Sequence, residues 1–229
     1  MIRWGVLSTA KIGREQVIPA ILEAEGASLT AISSRDPKKA KALADHFGAP
    51  FSFGCYEELI SSQHIDAVYI PLPTSDHVNW SIKTAEMGKH VLCEKPIALK
   101  SSDIDRLIET ESQSKVFISE AYMVTYHPQW IKVKDLLQNG KIGPLKQVQG
   151  AFTYYNKDPT NMRNRLELGG GGLPDIGVYP IVTTRFASNQ EPHSVTSRIK
   201  YDTHFKTDTF ASAQVHFDEF DLSFYCSTQ

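Results

Sequence analysis

"GVLSTAKIG", residues 5–13, stands between an apolar run that begins at Ile2 and a helical spacing of Val17, Ile21 and Ala24. Strand, tight turn and helix in that order form the setting in which a G-x-G-x-x-G turn receives the pyrophosphate of a dinucleotide. The first glycine of such a turn allows the sharp bend. The second leaves room for phosphate, and the third lets the helix pack on the strand. Here the turn reads Ser8-Thr9-Ala10-Lys11-Ile12-Gly13. Ser8 and Ala10 are small enough to keep a close approach open, and Gly13 keeps the packing position. The amides of a helix N-terminus would still face an anion, and the hydroxyls of Ser8 and Thr9 are expected to add donors. A ligand-free turn would read in the same way, so the segments that follow decide.

The next strand is expected over residues 28–33 and ends at Ser34-Arg35-Asp36. An NAD site places a carboxylate at the tip of this strand for the ribose hydroxyls, whereas an NADP site favours an arginine. Asp36 precedes Pro37 and a helical run, so helix capping explains it best. That leaves Ser34 and Arg35 at the tip, with Lys38 and Lys39 in the next turn. A guanidinium beside a hydroxyl suits a 2'-phosphate. The expected cofactor is therefore NADP, with NAD the weaker choice; the alternative is a solvated surface arginine.

Outward from these segments, strands and helices alternate. Strand patterns at 65–73, 90–96 and 116–119 are separated by helical patterns at 76–89 and 103–112. Such alternation implies a doubly wound parallel sheet, here over residues 1–120. Residues 121–229 change character. A helix is expected at 128–137, then long alternating stretches at 145–155, 194–201, 209–217 and 221–226. These read as an open antiparallel sheet with one face on a core. Its far face is expected to need cover, which predicts a homodimer or larger homo-oligomer. The last stretch, "LSFYCSTQ", has no closing element, so this domain is expected to be incomplete at its C-terminal side.

The 229 residues carry a net charge of -2, with 41% hydrophobic and 22% charged residues. No basic field invites nucleic acid, and no apolar stretch reaches the roughly 20 residues of a membrane span. The start, Met1-Ile2-Arg3-Trp4, lacks a signal-peptide layout. Cys55, Cys93 and Cys226 are scattered and odd in number, neither a disulfide framework nor a zinc pattern. The expected setting is the reducing cytoplasm. No His, Asp or Glu cluster has ligand spacing, so no metal is expected.

Several motifs remain: "PLPTSDH" (71–77), "LCEKP" (92–96), "EAYMVTYHP" (120–128), "GKIGPL" (140–145) and "GGGGLPDIGVYPI" (169–181). With "GVLSTAKIG" at the start, their order and spacing resemble the Gfo/Idh/MocA family. The dihydrodiol dehydrogenase and NADP-dependent sugar dehydrogenase branch, which has a Tyr at position 179, is the nearest resemblance. It implies a Rossmann-like N-terminal domain for a nicotinamide cofactor and an α+β C-terminal domain with an open, mostly antiparallel sheet. It further implies cofactor contacts from Ser8, Thr9, Ala10, Lys11, Ile12, Ser34, Arg35, Lys39, Pro71, Leu72, His77, Glu94, Lys95 and Arg163. Substrate contacts are implied for Lys95, Tyr122, Phe152, Arg163, Asp175 and Tyr179, with Tyr126 and His127 as further candidates; His127, beside Pro128, reads equally as a cap.

Asp175 and Tyr179 are four residues apart, which places both on one face of a helix, and Gly177 between them lets that helix lie close to its neighbour. Lys95 follows a strand, at the end where open α/β sheets bind ligands. The implied chemistry is alcohol–carbonyl redox on a sugar, polyol or cyclic diol. Tyr179 moves the hydroxyl proton. A phenol is a weak base, with a pKa of about 10, and a nearby ammonium favours phenolate; Lys95 is the candidate and would also stabilise charge on the oxygen. Asp175 would orient the substrate or act on Lys95. The competing reading is a dinucleotide-binding regulator without catalysis, which would be expected to lose the lysine or the tyrosine.

Overall fold

Alternation along the N-terminal strands builds a sheet buried on both faces. The computed structural model describes residues 1–229, in two compact units, Met1–Ala121 and Tyr122–Gln229. In the first, strands β1 (Ile2–Leu7), β2 (Ala27–Ser33), β3 (Phe51–Phe53), β4 (Ala67–Ile70), β5 (His90–Glu94) and β6 (Ile118–Ala121) form one parallel sheet in the order β3-β2-β1-β4-β5-β6. Neighbouring residues point to opposite faces. Leu7, Val68 and Ile70 pack into one apolar cluster with Leu59, Ile65 and Val91, while Val6 and Tyr69 pack into the other with Ile18, Ile21 and Ile32. Each fully buried aliphatic side chain contributes roughly 1.5–3 kcal/mol.

Helices α1 (Ile18–Glu23), α2 (Pro37–Phe47), α3 (Tyr56–Ile60), α4 (His77–Glu86) and α5 (Ser101–Ser114) make the crossovers. Helix α2 begins as its sequence dictates: Asp36 Oδ1 accepts from the amides of Lys38 (3.0 Å) and Lys39 (3.4 Å), and Pro37 fills the first position. Asp36 is thus a cap, and Ser34-Arg35 is the strand tip. Helix α1 differs from the simple helix expected, because residues Gly13–Val17 form a π turn before it. β3 and α3 had no counterpart in the sequence reading.

In the second unit, α6 (Pro128–Gln138) and α7 (Val178–Ser188) accompany β7 (Gln147–Thr153), β8 (Ser194–Tyr201), β9 (Asp208–His216) and β10 (Asp221–Ser227). The sheet order is β7-β10-β9-β8. It is mostly antiparallel, as expected, with one parallel pair: β10 pairs antiparallel with β9 but parallel with β7, Asp221 opposite Gln147 and Ser227 opposite Thr153. One face carries Val215, Leu222 and Phe224 against Leu173 and Ile181. The other face is a shallow recess of about 950 Å³, lined largely by Gln149, Thr196, Ser212, Gln214 and Ser223 around Phe210 and Tyr225. Polar groups dot this lining, but carbon atoms, with Ala151, Ala213, Phe210, Phe224 and Tyr225 among their sources, supply most of its exposed surface, so the face is largely apolar. No helix is long and apolar enough to cross a membrane.

Candidate active site

Parallel strands send their exits to one edge, so β1, β2, β4 and β5 deliver the turn at Ser8, the tip at Ser34, the Pro71 segment and Lys95 to the same end of the sheet. The strand order reverses direction between β1 and β4, the point at which such sheets open a ligand crevice. Ser8 stands where the first glycine of the fingerprint would stand and adopts the left-handed φ of 74° that the bend demands. Its hydroxyl donates to Pro71 O (3.2 Å) and accepts from the Ala10 amide (3.2 Å). The Ser8 hydroxyl thus ties the turn to the β4 exit. The amides of Lys11, Ile12 and Gly13 precede the bond from the Arg14 amide to Ala10 O (3.1 Å), the position of the donor set that an anion at a helix N-terminus takes. The Lys11 ammonium lies 3.8 Å from the Glu15 carboxylate at the surface.

At the second strand, Ser34 is buried and its hydroxyl accepts from the Asp36 amide (3.1 Å). Arg35 and Lys39 are exposed. The guanidinium of Arg35 reaches the hydroxyl of Tyr56; burial pushes that phenol above its usual value and Arg35 partly offsets the push. The neighbouring carboxylate, Asp36, is engaged by the Lys38 and Lys39 amides as a helix cap.

His77 acts as a brace in the fold. Its ring is only 1% exposed, and Nδ1 and Nε2 lie 2.8 Å and 2.9 Å from the carbonyls of Pro96 and Leu72. The ring thus joins the "PLP" segment to the "EKP" segment. Glu94 likewise turns inward, accepting from the buried Tyr69 hydroxyl at 2.6 Å. Lys95 is half-buried at the β5 exit, before a cis bond to Pro96.

In the second unit, the glycine run 169–172 carries the chain to a π turn, Leu173–Gly177, that leads into α7. Single π turns recur at functional sites. The run is shaped by neighbours as much as by freedom of rotation. A Cβ on Gly170 would lie 2.5 Å from Arg163 O and 2.6 Å from Met162 O. On Gly171, whose φ is 144°, it would collide with the Asp208 carboxylate. Gly177 faces Cys226 on β10, where a Cβ would come within 3.0 Å of the sulfur, so the helix does lie close to the sheet.

Asp175 sits in the π turn with Arg163 Nε and the Tyr154 hydroxyl both on its Oδ2, each at 2.7 Å. Tyr179, in the first turn of α7, has the rings of Tyr122 and Phe152 each 5.3 Å away. Tyr122 is buried and Phe152 is 39% exposed. Tyr126 is largely exposed, and His127 takes the capping alternative, accepting from the Gln129 amide at 3.1 Å as N-cap of α6. Tyr154 escaped the sequence reading, although its signal was present: it lies two residues beyond Phe152 in an alternating stretch. Asp208 escaped it without a local signal.

Residues 2–122 match the family described as "Oxidoreductase family, NAD-binding Rossmann fold", and residues 130–229 match the "GFO/IDH/MocA C-terminal domain". The chain belongs to the Gfo/Idh/MocA family. It is 44% identical over 95% of its length to an uncharacterized oxidoreductase, ORF334, of Rhizobium meliloti, covering 65% of that protein. It is 39% identical over 80% of its length to a dTDP-3,4-didehydro-2,6-dideoxy-alpha-D-glucose 3-reductase of Saccharopolyspora spinosa, covering 55% of it. With a D-xylose 1-dehydrogenase (NADP(+)) of Haloferax volcanii the identity is 35%, over 80% of this chain and 56% of that one. This Gfo/Idh/MocA chain therefore spans less than two thirds of these relatives. The crystal structure of KijD10, a 3-ketoreductase from Actinomadura kijaniata in complex with NADP and TDP-benzene, superposes with a TM-score of 0.91 at 28% identity, over 99% of this chain and 70% of that one.

Proposed function

We propose that this protein is an NADP-dependent oxidoreductase that interconverts a secondary alcohol and a carbonyl on a sugar or related polyol. The observation that carries the reading is the head of α7: a tyrosine set between two aromatic rings, one turn after a carboxylate held by an arginine and a second tyrosine. The relatives' printed activities support it, since they include a sugar 3-reductase and an NADP-dependent xylose dehydrogenase. A tyrosine-to-phenylalanine variant and lysine variants of KijD10 were crystallised with NADP and TDP-benzene. The lysine and tyrosine altered there are separated by as many residues as Lys95 and Tyr179 here.

NADP fits the residues present. The amides of Lys11, Ile12 and Gly13 would hold the pyrophosphate, and Arg35 with Lys39 would hold the 2'-phosphate. When bound, the nicotinamide donates or accepts the hydride at the carbonyl carbon. Tyr179 gives its proton to the substrate oxygen in reduction and recovers it in oxidation. Lys95 stabilises the charge that grows on that oxygen. Asp175, fixed by Arg163 and Tyr154, orients a neighbouring substrate hydroxyl. The open face of the mixed sheet is the surface on which we place a second copy of the chain; sedimentation that shows monomer alone at micromolar concentration overturns that assembly.

The deciding experiment follows NADPH absorbance with D-xylose and a dTDP-linked keto sugar, with NAD as the comparison. Tyr179→Phe keeps the ring and removes the acid. It should lower turnover by about 10²–10⁴ and leave NADP affinity nearly unchanged. A Tyr179→Phe protein with normal turnover removes Tyr179 from the mechanism. NADP binding without turnover of any sugar or diol would favour a regulatory protein.

A further inference from the structure

Asp208, the first residue of β9, sits 35 positions after Leu173 and accepts its amide at Oδ2, 2.5 Å away. The Gly172 amide is also directed at this carboxylate. The next residue, Pro174, has no amide, and the Asp175 amide goes to Gly171 O at 3.3 Å. Every donor that opens the turn is therefore accounted for, and the side chain that accounts for two of them comes from a strand, not from the turn. Helix starts normally take their cap from the residue just before them. Here that place belongs to the glycine run, which has no side chains to offer. Gly171 in turn leaves the space that the Asp208 carboxylate fills.

We propose that Asp208 is the positioning residue for Asp175 and Tyr179, acting as a helix cap supplied from β9. The inference rests on the reading that those two residues carry the chemistry. Two anchors then fix the turn against the sheet: the Asp208 carboxylate at its start, and the close pass of Gly177 over Cys226 at its end. Between them the backbone has no freedom to slide, and Tyr179 leaves the second anchor after one residue. Burial pushes the Asp208 carboxyl above its ordinary value and the Leu173 and Gly172 amides oppose that push; the contact thus holds an acceptor that folding keeps in place at a cost.

The test uses the whole protein and two readouts. Asp208→Ala should lower kcat about 10- to 100-fold, since small displacements of a reacting group cost that much, with NADP affinity unchanged. Asp208→Asn, which keeps an acceptor oxygen, should restore kcat to within about threefold of wild type. Amide hydrogen exchange at Gly172, Leu173 and Asp175 should speed up in Asp208→Ala and not in Asp208→Asn. Should Asp208→Ala fail to fold, Asp208→Ser, whose hydroxyl is too short to reach, takes its place with the same expectations. Unchanged exchange, or wild-type kcat in the Ala or Ser variant, overturns the proposal. If wild type turns over no substrate, the exchange arm decides the capping on its own, and it is the functional reading that fails.

Discussion

The hydroxyl of Tyr154 donates to Asp175 Oδ2 at 2.7 Å, on the same oxygen that receives Arg163. Burial first, and then this hydrogen bond, push the Tyr154 phenol above its usual value. It therefore stays a neutral donor wherever the fold survives and orients the carboxylate without titrating. Tyr154→Phe removes this donor from Oδ2 and keeps the Arg163 contact. The expected result is a roughly tenfold loss in kcat/KM, in the range of one hydrogen bond to a charged group. The loss should fall mainly on KM if Asp175 orients substrate. Steady-state kinetics check it, and an equal loss in kcat alone would place Asp175 in proton transfer instead.

Arg35 stands at a strand tip whose one neighbouring acid, Asp36, is taken up in capping α2. Arg35→Ala should weaken NADP by about ten- to a hundredfold, the value of a charge-assisted contact, and change NAD little. Fluorescence titration with both cofactors decides it: equal losses would show that Arg35 is only a solvated surface group.

The two glycine segments should answer differently to a methyl group. A Cβ on Gly13 would meet Tyr69 at 3.5 Å and Pro71 at 3.6 Å, which is ordinary contact. Gly13→Ala should therefore be neutral or stabilising by up to about 1 kcal/mol, since glycine is the poorer helix former. On Gly170 the Cβ would press on two backbone carbonyls that cannot rotate away. Gly170→Ala should cost about 1–3 kcal/mol. Denaturant melts of the two variants beside wild type test the contrast.

Asp66 joins β4 to β1 by accepting from Arg3 Nη2, Nε and the Arg3 amide. The hydrogen bond from the Arg3 side chain, its largest cause, lowers the Asp66 carboxyl to about 2. A depressed acid stabilises the fold above its unfolded value, about 3.9, and loses that contribution as pH falls through its folded one. Asp66→Asn should thus melt below wild type at pH 7, by the modest amount of a solvent-screened pair. The gap should close between about pH 4 and pH 2. A gap that persists at pH 2 would assign the effect to packing.

Local chemistry was legible in the sequence; distant pairing was not. Asp36 and Pro37 announce the start of α2 because capping involves atoms two or three residues apart. The α/β alternation likewise follows from periodicity. β3 is three residues long and α3 five, too short for a period to emerge. The parallel pairing of β7 with β10 depends on residues as far apart as Gln147 and Asp221. At the candidate site, the helical spacing of Asp175 and Tyr179 could be read, but their holders could not: Tyr154 is brought in by the end of β7 and Asp208 by β9. The "PLPTSDH" motif marked His77 as important while concealing that both ring nitrogens face backbone carbonyls.

The position of β10 in its sheet sets the order in which a nascent chain can finish the second unit. β10 lies between β7 and β9 but is synthesised after both. Until it emerges from the ribosome, β7 has no strand partner, and Cys226 is absent from beneath Gly177. Closing so distant a contact is slow compared with a hairpin. A ribosome paused before codon 221 would therefore hold a chain whose first unit can already be folded while β7 and the inner edge of β9 stay open. Chaperone engagement during synthesis should concentrate in that interval, and arrest-peptide force measurements should register a pulling event as β10 clears the exit tunnel.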